Sequence, residues 1–593
     1  MRAKDATPAR IVAYDFETSR IEPGTPRPLW LTAYGMELQL ETYIRDMPTL
    51  GKILVRYFLR PELVGVKFVA WFGNGFDAYF VAVALVTNPD YILRPYLTQS
   101  NSLRGLRVIN ACDANNPKAK GWEFLDGQAM LGLPGMPLSK FLATFAPDFG
   151  KLTGVIDFER EEFNPRDKRH REYAMRDSEG LYHAMVRAQS ILLEHFGEPL
   201  AVTMGGACIR IFKANIPDDV TVATPRDEVL QLVRDYVMRG GFCYCARRYH
   251  GPVWKYDINQ AYAAAMREAQ LPQGFTTFTE GEPPEGAPYI AELTATKRGN
   301  VIPFYYRTEI HGRMCSAFST EKIDRTWLTS IEVDQLRREG WAVNITRAYS
   351  WDGSFSMRDY VDRLERLRTT CEGGPSGPIG TMTKAVGNHS YGKTVESLGD
   401  AEYIMGSECP DGWAPFYGDA TEPLEHVFYR FLDPDDVRPK DYHQPQLGAF
   451  ITAHVRMVLR RAALLAPDAW LYADTDCVVF SRDVTAELDI HPSRYGAWKV
   501  EDAGTVYRII AKKVYAQDAP DDPKAKRSAK GLNVKKLTAQ DFAQWYEGTP
   551  PVQQQTQRNN FLAVVRGVDM FRRQERAGTA VEAKVLPKKN GVS

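Results

Sequence analysis

Charge of one sign, paired cysteines, long apolar runs and repeats are all scarce in this chain, and each shortage removes a class of protein. The 593 residues carry 74 Lys and Arg against 74 Asp and Glu, a formal net charge of zero. No bulk field draws the chain to nucleic acid or to an anionic membrane, so any phosphate-binding surface must be segregated locally. Of eight cysteines only Cys243 and Cys245 are close neighbours. That is poor spacing for tetrahedral zinc and fits a reduced protein with free thiols in a cytoplasm. The N-terminal MRAKDATPARIVAYDFE lacks the apolar core of a signal peptide. No apolar run approaches the ~18 residues of a membrane span, and no fixed-period repeat or low-complexity tract occurs.

What is present is core and carboxylates. At 44% hydrophobic residues the chain can bury several cores, and its length predicts roughly three to five domains. IVAYDFETS reads as a buried strand carrying Asp15 and Glu17 at i and i+2, both on one face. Two adjacent carboxylates repel unless a cation lies between them. A lone D-x-E is more often a solvated strand end, but two further stretches add to it. WFGNGFDAYFVAVALV places Asp77 at the start of an apolar segment, just after Asn74. REYAMRDSEGLYHAM puts Tyr173 and Asp177 on one face of a helix. Four acids and a tyrosine can hold two metals and orient a water for phosphodiester hydrolysis.

A second set lies downstream. PVWKYDINQAYAAAM reads as a strand ending at Asp257 and a helix from about Gln260. AWLYADTDCVVF reads as a hairpin with Asp474 and Asp476 at its tip. Three aspartates on such strands suit nucleotidyl transfer by two metals. Residues 387–394, GNHSYGKT, also match the phosphate-loop pattern G-x-x-x-x-G-K-[ST]. That motif needs a buried strand before it and a helix after it. Here GPIGTMTKAV upstream reads as helix and VESLGDAEY downstream is soon broken by Gly399. As a helix, the stretch sets Lys384, Asn388 and Tyr391 on one face, a surface suited to a nucleotide.

Taken in order, D-x-E, N-x-F-D, Y-x-x-x-D, YDINQAY, KAVGNHSYGK, YADTDC and Lys513-Val514-Tyr515 resemble the family B DNA polymerases. The first three look like the motifs of the 3′–5′ exonuclease, and the next three like polymerase motifs A, B and C. They span Asp15 to Tyr515. The chain length resembles the small protein-primed polymerases of bacteriophages, and MRGGFCY resembles their Y-x-G-G linker with Met238 in the tyrosine slot. LGAFITAHVR resembles the palm strand and helix that precede motif C. The segments 271–354 and 399–446 resemble the two insertions of that subfamily, for terminal-protein contact and template enclosure.

The resemblance implies a multidomain chain of α/β and α+β class. An RNase H-like exonuclease domain would span 1–197, followed by a right-hand polymerase. The palm would occupy 198–270 and 447–545, the fingers 355–398 and the thumb 546–593, with the insertions between. Asp257, the Ile258 carbonyl and Asp476 would hold two Mg²⁺ (or Mn²⁺) ions, with Asp474 beside them. Asp15, Glu17, Asp77 and Asp177 would hold the exonuclease pair, with Tyr173 orienting water and Lys151 a candidate basic partner. Tyr262 would exclude ribose. Lys384, Arg368, Asn388 and Tyr391 would bind the nucleotide. Asn74, Phe76, Gly240, Gly241, Tyr472, Thr475, Lys513 and Tyr515 would contact DNA. Implied partners are template and primer DNA, dNTPs and a terminal protein, with the chain a monomer or a heterodimer with that protein in the cytoplasm of a bacterial host.

Departures from the family pattern are Gln260, Ala261 and Ala263 in motif A, His389 in motif B, Cys477 in motif C, and a single residue, Gly75, between Asn74 and Phe76. None is a metal ligand. Residues 512–536 carry eight Lys or Arg against three Asp, a local track of the kind that contacts phosphates. The competing readings are a primer-dependent polymerase of the same family, a phosphate-loop NTPase and a non-catalytic DNA-binding protein.

Overall fold

The structure is a computed structural model describing residues 7–35, 37–98, 102–157, 161–396, 401–417, 424–432, 441–520, 522 and 524–579. The chain forms two compact units. The first comprises Met1–Asp218, Asp359–Gln444 and Thr556–Arg572, and the second Asp219–Arg358, Pro445–Gln555 and Arg573–Ser593.

The first unit is built on a ten-stranded sheet. The strand Ile11–Thr18 lies inside it, antiparallel to Pro28–Gly35 and parallel to Lys67–Ala70. Its first four residues and Phe16 are buried, whereas Asp15 and Glu17 are only partly so. The 29-residue helix Lys168–Phe196 covers this region of the sheet. It starts with Asp167 accepting from the Arg169 amide and ends at Gly197 in the left-handed conformation. Phe58, Phe68 and Phe124 stack in the core around Tyr14. The short helix Phe561–Val565 joins the same core, with Phe561 edge-on to Tyr79 at 5.0 Å.

The segment beyond 399 supplies strands Ala401–Met405, Ala414–Pro415 and Val427–Phe431 to one edge of this sheet. Within GDATEPLEHVFYRFLDPDD, residues 424–432 are described, and 418–423 and 433–436 lie outside the described residues.

The second unit holds a seven-stranded sheet in which Cys477–Phe480 sits between Tyr249–Ile258 and Trp470–Asp474. Residues 271–354 form a four-stranded sheet and a hairpin around the helix Ser330–Arg338, with a core of their own. One expectation is corrected. LGAFITAHVR contains no strand, because the helix Pro445–Leu465 takes in all of it. Nearly every residue from Pro445 to Ala453 is buried, so its side chains are enclosed on all faces, an environment an apolar stretch fills as helix as readily as strand.

Arg456 on that helix donates to the Arg239 carbonyl at 2.7 Å and to Glu332 at 3.0 Å, and Arg239 also pairs with Glu332. All three are buried. A cluster of this kind costs desolvation and rewards complete pairing. It fixes the backbone immediately before Gly240 and Gly241.

Candidate active sites

In the first unit, Asp15 and Glu17 leave their strand on one face and Asp177 meets them from the long helix. One carboxylate oxygen of each lies within 4.8 Å of the others. Asp77 begins the helix Asp77–Leu85 and accepts from the Phe16 amide at 3.2 Å. Burial pushes Asp15 well above the ordinary carboxylate range, with the Glu17 and Asp77 charges adding to it. Burial likewise pushes Glu17 up to about 8 and Asp77 up to about 7. Crowded carboxylates with raised affinity for protons have the same appetite for cations.

Lys151 supplies a counter-charge. Its Nζ lies 2.6 Å from Asp177 Oδ2 and 4.8 Å from the Tyr173 ring centre. Burial pushes the Tyr173 hydroxyl up to about 12, so it stays a donor. Asp177 Oδ1 is buried with no hydrogen-bond partner among the described residues. That orphan, together with the three crowded carboxylates, fits a divalent cation.

Asn74 lies in the turn Gly73–Gly75. Its amide donates to Asp126 Oδ2 at 3.1 Å, and its side-chain oxygen is buried without a partner among the described residues. It lines a cavity of about 720 Å³ together with Arg558, Arg566 and Arg572. Phe76 packs edge-on to Phe80 at 5.1 Å. Neither Asp126 nor Arg558 was anticipated. Asp126 also caps the short helix Gly127–Leu131, accepting from the Gln128 and Ala129 amides.

The helix Pro378–His389 carries Lys384 and Asn388 exposed on one face, with Met382, Ala385 and Val386 buried on the other. The α-helix stops at His389, so Tyr391 lies just past it, though still with right-handed helical backbone. No strand precedes Gly387, and residues 392–395 form a single tight turn. The phosphate-loop reading therefore lacks both flanking elements it requires. His389 sits against Gly132, and burial lowers its pKa. Arg368 lies on the helix Arg358–Thr370 with its Nε buried and unpartnered among the described residues. Arg368, Lys384, Asn388 and Tyr391 all belong to the first unit.

In the second unit, Asp257 and Ile258 end the strand Tyr249–Ile258, and Asp257 is directly opposite Cys477. Asp474, Thr475 and Asp476 form the hairpin tip. The Asp476 amide donates back to the Asp474 carbonyl at 2.7 Å around Thr475, whose φ is +63°. Such a three-residue turn is strained for a non-glycine residue. It is held from both sides: Thr475 N–H donates to the Phe242 carbonyl at 2.7 Å, and Ile258 N–H to the Asp476 carbonyl at 2.8 Å. A Cβ on Gly241 would lie 2.9–3.1 Å from Thr475 atoms, so only glycine fits beneath the tip. Gln260 and Lys513 also have positive φ, at +48° and +60°.

Burial, then the Asp257 charge, pushes Asp476 up to about 6. Burial raises Asp257 too, against the pull of Lys499 at 2.8 Å. Tyr472 donates to Asp474 at 3.3 Å and accepts from the Lys513 amide at 3.1 Å. The Lys513 ammonium lies 3.3 Å from Asp474, and Tyr515 is ring to ring with Tyr472 at 5.9 Å. These groups line a cavity of about 430 Å³. Two adjacent acids raised by burial, Asp476 also by the Asp257 charge, fit divalent cations as well. Tyr262 is half-buried on the helix Ala261–Glu268, which follows Asp257. Lys255, Lys499 and Glu501 were missed. Lys499 and Glu501 stand at period two beside Trp498, and Lys255 stands two residues before Asp257 on the neighbouring strand.

The family described as DNA polymerase type B, organellar and viral, matches residues 157–410. The DNA-directed DNA polymerase of Enterobacteria phage PRD1 is 25% identical over 417 residues, 70% of this chain and 69% of that one. This chain is similar to the type B DNA polymerases. The DNA polymerase of Streptococcus phage Cp-1 is 22% identical over 306 residues, 48% of this chain and 51% of its own length. In fold, the chain is similar to Phi29 DNA polymerase solved with primer-template DNA and incoming nucleotide. The TM-score is 0.71 at 16% identity, covering 97% of this chain and all of that one. The expected multidomain mixture of α/β and α+β layers is therefore the fold of this polymerase. Among the described residues no helix is long and apolar enough to cross a membrane.

Proposed function

We propose that the chain copies DNA and proofreads it, with nucleotidyl transfer at Asp257 and Asp476 and 3′–5′ hydrolysis at Asp15, Glu17, Asp77 and Asp177. The observation that carries this reading is a cluster of carboxylates raised by burial within each unit, each on the motif expected for it. Mg²⁺ or Mn²⁺, two per site, held by these acids and by the Ile258 carbonyl, would supply activation of the attacking oxygen and neutralise phosphoryl charge. Asp474 with Lys513 and Tyr515 positions the primer end, and Tyr472 braces both. Tyr262 excludes a ribose 2′-OH. Lys384 and Arg368 take the triphosphate, while Asn388 and Tyr391 line the nascent base pair. At the hydrolytic site Tyr173 orients the water, Lys151 balances Asp177, and Asn74 and Phe76 hold the unpaired 3′ end. Gly240 and Gly241 contact DNA.

The subdivision into exonuclease (1–197), palm (198–270 and 447–545), fingers (355–398), thumb (546–593) and two insertions belongs to this reading. So does initiation on a protein hydroxyl, in the cytoplasm of a bacterial host. The support is the pair of long inter-motif segments, since ordered loops of that length are usually functional, and the likeness to phage enzymes. The test mixes the full chain, a candidate terminal protein from a neighbouring gene, labelled dATP and Mg²⁺ without a nucleic-acid primer. An Asp476-dependent labelled protein adduct is expected. Robust extension of DNA primers with no adduct would favour the primer-dependent form of the same enzyme.

A further inference from the structure

Asp257, which lines the second unit's cavity, pairs with a cation that the motifs do not explain. Lys499 lies directly across from Asp257 in the antiparallel pair of Trp498–Ala511 with Tyr249–Ile258, so both side chains leave the sheet on one face. Its Nζ is 2.8 Å from Asp257 Oδ2 and 3.5 Å from Glu501 Oε1. Glu501 already has Lys255 at 2.7 Å, and Asp474 has Lys513 at 3.3 Å. Lys499 is thus the counter-charge assigned to Asp257. Its side chain is 37% exposed, and a lysine stem is flexible enough to swing its ammonium into solvent.

We infer that Lys499 is a positioning residue that holds Asp257 in competition with the divalent cation and yields it when the cation arrives. The inference rests on reading Asp257 and Asp476 as a cation-binding pair. An ammonium and a divalent ion on one carboxylate repel each other, so each lowers the other's affinity by the same factor. A half-exposed ion pair is weak enough to be displaced. It is still strong enough to keep Asp257 in place and to refuse cations that no substrate phosphate helps to hold.

The test measures Mn²⁺ binding by electron paramagnetic resonance on the full chain, with Asp15→Ala and Glu17→Ala removing the other acid cluster. Lys499→Met is expected to bind the Asp476-dependent Mn²⁺ about three- to tenfold more tightly. Lys499→Arg keeps the charge and is expected to stay within about twofold of the parent. A lysine that merely props up the strand would give weaker binding on removal. Unchanged or weaker affinity in Lys499→Met, with binding still dependent on Asp476, overturns the inference and leaves the cation pair standing. Mn²⁺ binding in the parent that ignores Asp476→Ala overturns both.

Discussion

The two acid sites solve the same electrostatic problem differently. In the first unit, carboxylates face carboxylates with Lys151 as the nearby counter-charge, and Glu17 and Asp77 are pushed up to about 8 and 7. In the second, the acids are interleaved with Lys255, Lys499 and Lys513, and Asp476 rises only to about 6. Burial drives both sets upward, more strongly in the first, and in the second Lys499 pulls Asp257 and Asp476 back down. The first arrangement is a strong cation trap; the second is a trap whose charge is already partly balanced. A site that must admit a triphosphate and release pyrophosphate has reason to keep cations of its own.

This contrast predicts unequal dependence on the lysines. Lys151→Met should cut single-stranded DNA digestion by about a hundredfold, because it removes the counter-charge of Asp177 and a neighbour of Tyr173 together. Primer extension should hardly change. Lys513→Met should lower primer extension by only about tenfold, since Lys255 and Lys499 remain. Single-turnover rates for both activities of both variants check this; equal losses would break the contrast.

Gly241→Ala tests the hairpin tip. The new Cβ would press on the Thr475 side chain and Cα, tilting the turn that separates Asp474 from Asp476. Extension should fall several-fold to about tenfold, with digestion retained. An alanine variant as fast as the parent would show that the strained turn tolerates displacement.

The smallest effect concerns pH. Glu17 binds its proton more tightly folded, at about 8, than at its ordinary 4.5. Between those values the folded chain carries more protons than the unfolded one, so its stability is lost as pH rises. In EDTA, Tm should therefore drop from pH 5.5 to pH 8 more in the parent than in Glu17→Gln, and Mg²⁺ should shrink that difference. Identical slopes for the two proteins would remove the repulsion argument.

Much of this was legible in the residues. Alternation in IVAYDFETS placed Asp15 and Glu17 on one face, and i, i+4 spacing brought Tyr173 and Asp177 together. Both follow from local geometry. The hairpin at Asp474 and Asp476 was equally readable, because apolar runs bracket it. What sequence could not give was partnership across strands. Lys499 opposes Asp257 only through the register of two strands some 240 residues apart, a separation on the order of hundreds of residues that no local period encodes. LGAFITAHVR was misread as containing a strand because a fully buried helix hides the 3.6-residue period. Likewise the Arg239, Glu332 and Arg456 cluster draws on three distant segments.

The central claim is that one chain holds two chemistries on two separate acid clusters. The most direct measurement follows dNTP incorporation and single-stranded DNA digestion side by side in Asp476→Asn and Glu17→Gln, each checked for folding by circular dichroism. The account predicts that Asp476→Asn loses incorporation by about a thousandfold or more and keeps digestion, while Glu17→Gln does the reverse. Loss of both activities in either folded variant would contradict it.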